Sequence, residues 1–201
     1  MRNQVICISR QFGSGGHEIG VLTAEKLGLH VYEKSILKIA CEYGEVAVKT
    51  LEHADERATN PLLFQTVHEG NYHVMRGAST SEVLFSLQSH TIRRIAKRES
   101  CVFVGRCADY VLKDAEVDVL TAFVCAPLEY RVERKMRTEH LSREKAQRLV
   151  KKMDRQRKKY YETYTHRQWG DPQYYDLYLD TSKIAIADAA SLLAERYRRR
   201  L

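Results

Sequence analysis

The chain has 201 residues, 44% of them hydrophobic and 29% charged, with only three prolines, which fits one globular domain with a full core and little room for disordered linkers. Its formal net charge of +7 points to an anionic partner. The five cysteines form no C-x-x-C pair and sit mostly in apolar runs, which favours buried reduced thiols over disulfides or zinc. No apolar run approaches the roughly 20 residues of a membrane span. Met1-Arg2-Asn3-Gln4 leads into a strand rather than a signal core, so a cytoplasmic protein is expected.

The first element is a strand over Val5–Ser9, followed by Arg10-Gln11-Phe12-Gly13-Ser14-Gly15-Gly16 and a helix over Glu18–Leu27. Strand, glycine-rich turn and helix in that order build a phosphate cradle. Gly13, Gly15 and Gly16 permit positive φ and close backbone approach, and the free N–H groups of the helix start point at the anion. A Walker A loop reads G-x-x-x-x-G-K-[ST]. Here no Lys follows Gly15 or Gly16, and His17 and Glu18 stand where the Lys and the hydroxyl are sought. The competing reading is a glycine-rich β-to-α turn that binds nothing.

A short strand over His30–Tyr32 and a helix from Ser35 to about Tyr43 come next. Residues 45–78 are less regular, broken at Asn60-Pro61, and are read as partly helical and as the place for a substrate-binding insertion. Thr80–Lys97 is a helix, with Val83, Leu84, Leu87, Thr91, Ile92 and Ile95 at helical spacing. Strands follow over Cys101–Val104, Val119–Cys125 and Tyr174–Leu179, with helices from Leu128 to about Thr138, from Ser142 to Tyr164 and from about Ile184 to the end. Asp180-Thr181-Ser182 reads as a helix-capping arrangement. Short apolar strands alternating with longer helices predict an α/β protein: a three-layer α/β/α sandwich on a five-stranded parallel sheet, its ligand beyond the C-terminal strand ends.

Thirteen Lys and Arg crowd between Arg131 and Lys159. Such a face meets a duplex or closes over the phosphates of a nucleotide. Without a recognition motif or regularly interleaved aromatics, the small polyanion is favoured over nucleic acid. Arg196, Arg198, Arg199 and Arg200 read as helix C-terminal charges or a solvated tail.

Five segments together resemble the cytidylate kinase-like family, relatives of the nucleoside-monophosphate kinases: ISRQFGSGGHEIG at 8–20, VGRCADYVL at 104–112, APLEYRVER at 126–134, DRQRKKYY at 154–161 and YDLYLDTS at 175–182. The resemblance spans nearly the whole chain and is weakest at 45–78. It implies a single P-loop domain over 1–201 with a helical lid over roughly 127–170. The implied reaction moves the γ-phosphate of ATP, with Mg²⁺, to CMP, dCMP or another small phosphate acceptor.

On that resemblance Gly13, Ser14, Gly15 and Gly16 line the triphosphate, with His17 and Glu18 beside it. Arg106 holds the monophosphate substrate, and Glu33 positions substrate or orients Mg²⁺ through water. Arg131 and Arg134, one helical turn apart, begin the lid. Asp154 and Arg157 match its D-x-x-R, mobile groups suited to a transition state with charge on the equatorial oxygens. Arg10 is a substitute for the missing Lys. Asp109 supplies the acidic contact that family members reading G-R-D place where this chain has Gly105-Arg106-Cys107. Tyr160, Tyr161, Tyr164 and Trp169 are read as packing the lid to the body rather than stacking a base. Two other readings stay open: a nucleotide-binding regulatory module without transfer, and a nucleic-acid binder using the basic helix.

Overall fold

The structure, a computed structural model, describes residues 2–33, 35–36, 38–39 and 80–200. Gln4–Arg10 form β1, and all seven residues are buried. Strands β2 (His30–Tyr32), β3 (Cys101–Val104), β4 (Asp118–Cys125) and β5 (Leu177–Asp180) complete an all-parallel sheet of order β2-β3-β1-β4-β5. Burial on both faces explains why β1 and β3 read as continuous apolar runs rather than alternating ones.

Two helical layers cover the sheet, and strand parity sorts the side chains between them. Ile6 and Ile8 join Ile19 and Ala24 of α1 (Gly16–Leu27) and Ala190 and Leu193 of α6 (Ile186–Arg198). Val5 and Cys7 face the other way, onto Ile92 and Ala96 of α2 (Thr80–Arg98) and Val111 of the short α3 (Ala108–Val111). Each fully buried Ile or Leu contributes about 1.5–3 kcal/mol. Helices α4 (Leu128–Glu139) and α5 (Arg143–Thr165) pair through Val132, Ala146 and Val150, and Phe12 packs against that pair.

The five parallel strands and the alternation of helices agree with the sequence reading, and differences sit at the ends of elements. Helix α1 begins at Gly16 rather than Glu18, because Gly15 at φ 86° is its N-cap. Strand β5 begins at Leu177 rather than Tyr174. Asp171 Oδ1 accepts the Gln173 N–H at 3.1 Å and curls Pro172–Tyr174 into a 3-10 turn. Asp180 caps no helix: its Oδ1 accepts from Ser182 N at 3.0 Å and Ser182 Oγ at 2.7 Å, closing a turn, while α6 starts at Ile186. The final arginines are not all a solvated tail. Arg198 donates to Lys26 O at 2.9 Å, and Arg200 donates to Val119 O and Asp176, each at 2.8 Å.

Ser35, Ile36, Lys38 and Ile39 are helical, whereas the rest of the helix expected to Tyr43, the insertion expected at 45–78, and Cys41 lie outside the described residues. Cys7, Cys101, Cys107 and Cys125 are free thiols, the first three of them buried. No helix among the described residues is long and apolar enough to cross a membrane.

Candidate active site

The strand ends set the geometry. Val104 of β3 and Ala122 of β4 both pair with Ile8, and Gly105 N–H donates to Ile8 O at 2.9 Å, so the turn after β3 lies beside the glycine-rich loop after β1. Gly15 carries no side chain to cap α1, so the first-turn N–H groups at Gly16, His17 and Glu18 face out of the helix start, as an anion site requires. Ser14 faces inward: its hydroxyl donates to Gln11 O at 2.8 Å, and its own carbonyl accepts from Thr181 Oγ1 at 2.8 Å. Thr181 buttresses the loop, and its place in the YDLYLDTS segment was the only signal for it.

Helices α4 and α5 clamp the same loop. Arg131, 6% exposed, donates from Nε to Ala126 O at 2.8 Å and from Nη1 to Phe12 O at 3.0 Å and Asp154 Oδ2 at 2.5 Å. Asp154 Oδ1 accepts the Phe12 N–H at 2.8 Å. Arg131 and Asp154 are thus joined to the loop backbone itself. Two cations lie over the Phe12 ring, Lys135 at 4.5 Å and Arg157 at 5.4 Å from its centroid. Arg134 pairs with Glu18 across the loop opening.

A small cleft, open to solvent, lies between the end of β1, the β3 turn and α5. Arg10, Arg106 and Arg157 line it together with Tyr160, Tyr161 and Trp169, and among the described residues it has no carboxylate lining. Arg106 is 5% exposed, and burial, with the charge of Arg10 adding to it, pushes its pKa down to about 10. The turn that aims it is unusual: Gly105, Arg106 and Cys107 have φ of 81°, 60° and 54° in succession. Left-handed conformations at two non-glycine residues cost on the order of 1–3 kcal/mol each and concentrate at functional sites.

Glu33 stands beside the cleft, its Oε1 2.7 Å from Arg10 Nη2 and its Oε2 2.5 Å from His17 Nδ1. Burial pushes its carboxyl up, but Arg10 and His17 together outweigh burial and hold it below the ordinary carboxylate range. Asp109 turns away from the cleft and accepts from Tyr161 OH at 2.6 Å; burial raises its pKa. Tyr160 OH donates to Gln88 Oε1 at 3.0 Å. These two neighbouring tyrosines tie α5 to α3 and α2, and Tyr164 stacks on Phe85 with centroids 4.2 Å apart. Trp169 meets Phe123 edge-on at 5.5 Å.

Of the residues named from the sequence, Arg10, Arg106 and Arg157 meet in the cleft. Gly13, Ser14, Gly15, Gly16, His17 and Glu18 form the adjoining loop and helix start, with Glu33 between the two. Arg131, Arg134 and Asp154 gather over the loop, and Asp109 belongs to the packing of α5.

The model of the cytidylate kinase-like family matches residues 5–183. Among solved structures, an uncharacterized protein from Eubacterium ventriosum ATCC 27560 is similar with a TM-score of 0.72 at 26% identity, over 98% of this chain and 99% of that one. The APS kinase of Mycobacterium tuberculosis in complex with AMPPNP and APS matches at 0.52 and 17% identity, over 96% of both chains. A shikimate kinase from Acinetobacter baumannii in complex with shikimate matches at 0.51 and 14%, over 98% of this chain and 94% of that one. The last two likenesses show the P-loop kinase fold alone. No curated protein matches the sequence.

Proposed function

Because the chain belongs to the cytidylate kinase-like family and has the α/β fold of the P-loop kinases, we propose that it transfers the γ-phosphate of ATP to an acceptor that is itself a phosphate monoester, CMP or dCMP first. The observation that carries this reading is the cleft: three arginines and no lining carboxylate among the described residues, next to a glycine-rich loop at a helix start. A hydroxyl acceptor must lose a proton and needs a base. Glu33, paired with the cleft-lining Arg10, is held by two cations below the ordinary range and is a weak base. A phosphate oxyanion has no proton to lose. Its oxygen bonds to the γ-phosphorus, the bond to the β,γ-bridging oxygen breaks, and ADP leaves with the electron pair.

In this reading the loop N–H groups from Gly13 to Glu18 hold the triphosphate, and Arg134 turns from Glu18 to the phosphates. Arg106 and Arg157 grip the acceptor. Arg131 and Asp154 keep the loop in shape, and α4 and α5 act as the lid. Mg²⁺ on nucleotide phosphates asks for one or two protein oxygens and neutralises charge as it forms. Glu18, half exposed in the first turn of α1, is the carboxylate at the loop that fits.

The test is ADP release from Mg·ATP with CMP, dCMP, UMP, AMP, GMP, shikimate or no acceptor, alongside calorimetry of ATP binding. Turnover with a pyrimidine monophosphate, lost in Arg157→Ala and kept when the exposed neighbour Lys158 is changed to Ala, is the expected result. ATP binding without turnover on any acceptor would replace this reading with that of a regulatory module.

A further inference from the structure

A lysine-bearing loop of the form G-x-x-x-x-G-K can be laid on this structure in one register, because α1 starts at Gly16 behind its N-cap Gly15. The closing glycine is then Gly15, the lysine position is Gly16, and the opening glycine position is Arg10. The sequence reading, which sought the lysine at His17, is shifted by one. Glycine and cation have changed places.

Contacts around Arg10 explain the exchange. A Cβ built on Gly16 would sit 2.5 Å from Arg10 Cβ and 3.0 Å from Arg10 Cγ. These atoms are the root of a side chain anchored on a buried strand, 7% exposed, and they cannot swing aside as a side-chain tip can. At its other end the guanidinium lies against Gly105, where a Cβ would be 1.9 Å from Nη1 and 2.9 Å from Cζ. Arg10 therefore threads between two glycines, one from the loop and one from the β3 turn. Its Nη2 is held by Glu33 at 2.7 Å, its backbone carbonyl accepts from Arg157 Nη1 at 3.2 Å, and its side chain lines the cleft.

We propose that Arg10 is the catalytic cation of this site, delivered from the end of β1 in place of a lysine at the start of α1, and that Gly16 is glycine because Arg10 is arginine. Resting on the phosphotransferase reading, this assigns Arg10 to the γ-phosphoryl oxygens, between the loop and the acceptor. There a planar five-donor guanidinium matches charge spread over the equatorial oxygens while the acceptor oxygen bonds and the bridging oxygen leaves. Glu33 and His17 fix its direction.

Four variants test this: Arg10→Ala, Arg10→Lys, Gly16→Ala and the exchange Arg10→Gly with Gly16→Lys, which rebuilds the lysine pattern. Arg10→Ala is expected to lower kcat about 100-fold or more, the scale of losing one preorganised charge donor. It should weaken ATP about tenfold while leaving adenosine unchanged. Arg10→Lys retains an intermediate kcat. The exchange variant recovers at least about tenfold in kcat and ATP affinity over Arg10→Ala. Gly16→Ala lowers Tm in the native background and much less when Arg10 is Gly, a coupling read without any activity.

Arg10→Ala losing stability while keeping kcat and ATP affinity would overturn the proposal and leave Arg10 as a structural ion pair. So would a folded exchange variant no better than Arg10→Ala at binding ATP. Should the native protein bind ATP and phosphorylate no acceptor, the phosphotransferase reading fails, and the ATP affinities and the Gly16 coupling still decide this inference.

Discussion

Arg131 and Asp154 meet across the α4–α5 pair with Nη1 2.5 Å from Oδ2, and the second oxygen of the same carboxylate holds the Phe12 N–H at 2.8 Å. Removing the carboxylate strands a nearly buried guanidinium and frees the loop. Asp154→Ala should lose about 2 kcal/mol, the scale of a hydrogen bond to a charged group. For a chain of this size that lowers Tm by roughly 4–8 °C. ATP affinity should fall with it, because the loop N–H groups are no longer held in place. Thermal melts and calorimetry read both effects, and an Asp154→Ala protein matching the native one in Tm and ATP affinity would show that the clamp does nothing.

Tyr161 and Asp109 predict a dependence on pH. Burial raises the Asp109 carboxyl, so over the window from the ordinary carboxylate range up to its raised value the folded state holds a proton that the unfolded chain has released. Stability contributed by this group therefore falls as pH rises through that window. The Tyr161 hydroxyl works against the rise by donating to the ionised form. Tyr161→Phe should cost about 1–3 kcal/mol at the higher of two pH values, where the carboxyl is the more ionised and loses its donor, and less at the lower one. Denaturant melts of both proteins at the two pH values measure it. A deficit that is equal at both, or larger in acid, contradicts the assignment.

Arg106 is held at φ 60° between Gly105 and Cys107 and is buried beside Arg10. A residue kept there for stability alone would be a poor choice. Arg106→Gly relieves the backbone and one of two neighbouring buried charges. Turnover is expected to drop about 100-fold or more while Tm holds or rises. A fall in Tm with turnover intact would mean that the turn serves packing instead.

The parts of the fold that the sequence made legible are those in which neighbours along the chain determine one another. Gly13, Gly15 and Gly16 between a buried strand and an amphipathic helix mark the loop, and Cys101–Val104 is bounded as expected because Glu99-Ser100 and Gly105 bracket four apolar residues. Strand β5 was placed early because Tyr174 is apolar enough for a strand, while the Asp171 side chain that curls it into a turn acts from three residues away. Spacing placed Arg131 and Arg134 on one helix face, yet it could not say that the hydrogen bonds of Arg131 are used by the carbonyls of Ala126 and Phe12. The nesting of Arg10 against Gly105 joins the end of one strand to the turn after another, and no local pattern carries it. Asp109, named for its place after Gly105-Arg106, proved to be oriented by Tyr161 in a helix far along the chain.

The collision between residues 10 and 16 also constrains ancestry. A lysine arriving at 16 while 10 is still arginine meets a Cβ at 2.5 Å, so a lineage moving between the two loop chemistries has its steps ordered. Glycine must come first at 10, which leaves an intermediate with neither cation, and the reverse journey passes through the same depleted state. On the assignment of Arg10 as the catalytic cation, the two loop chemistries are thereby separated by a fitness valley.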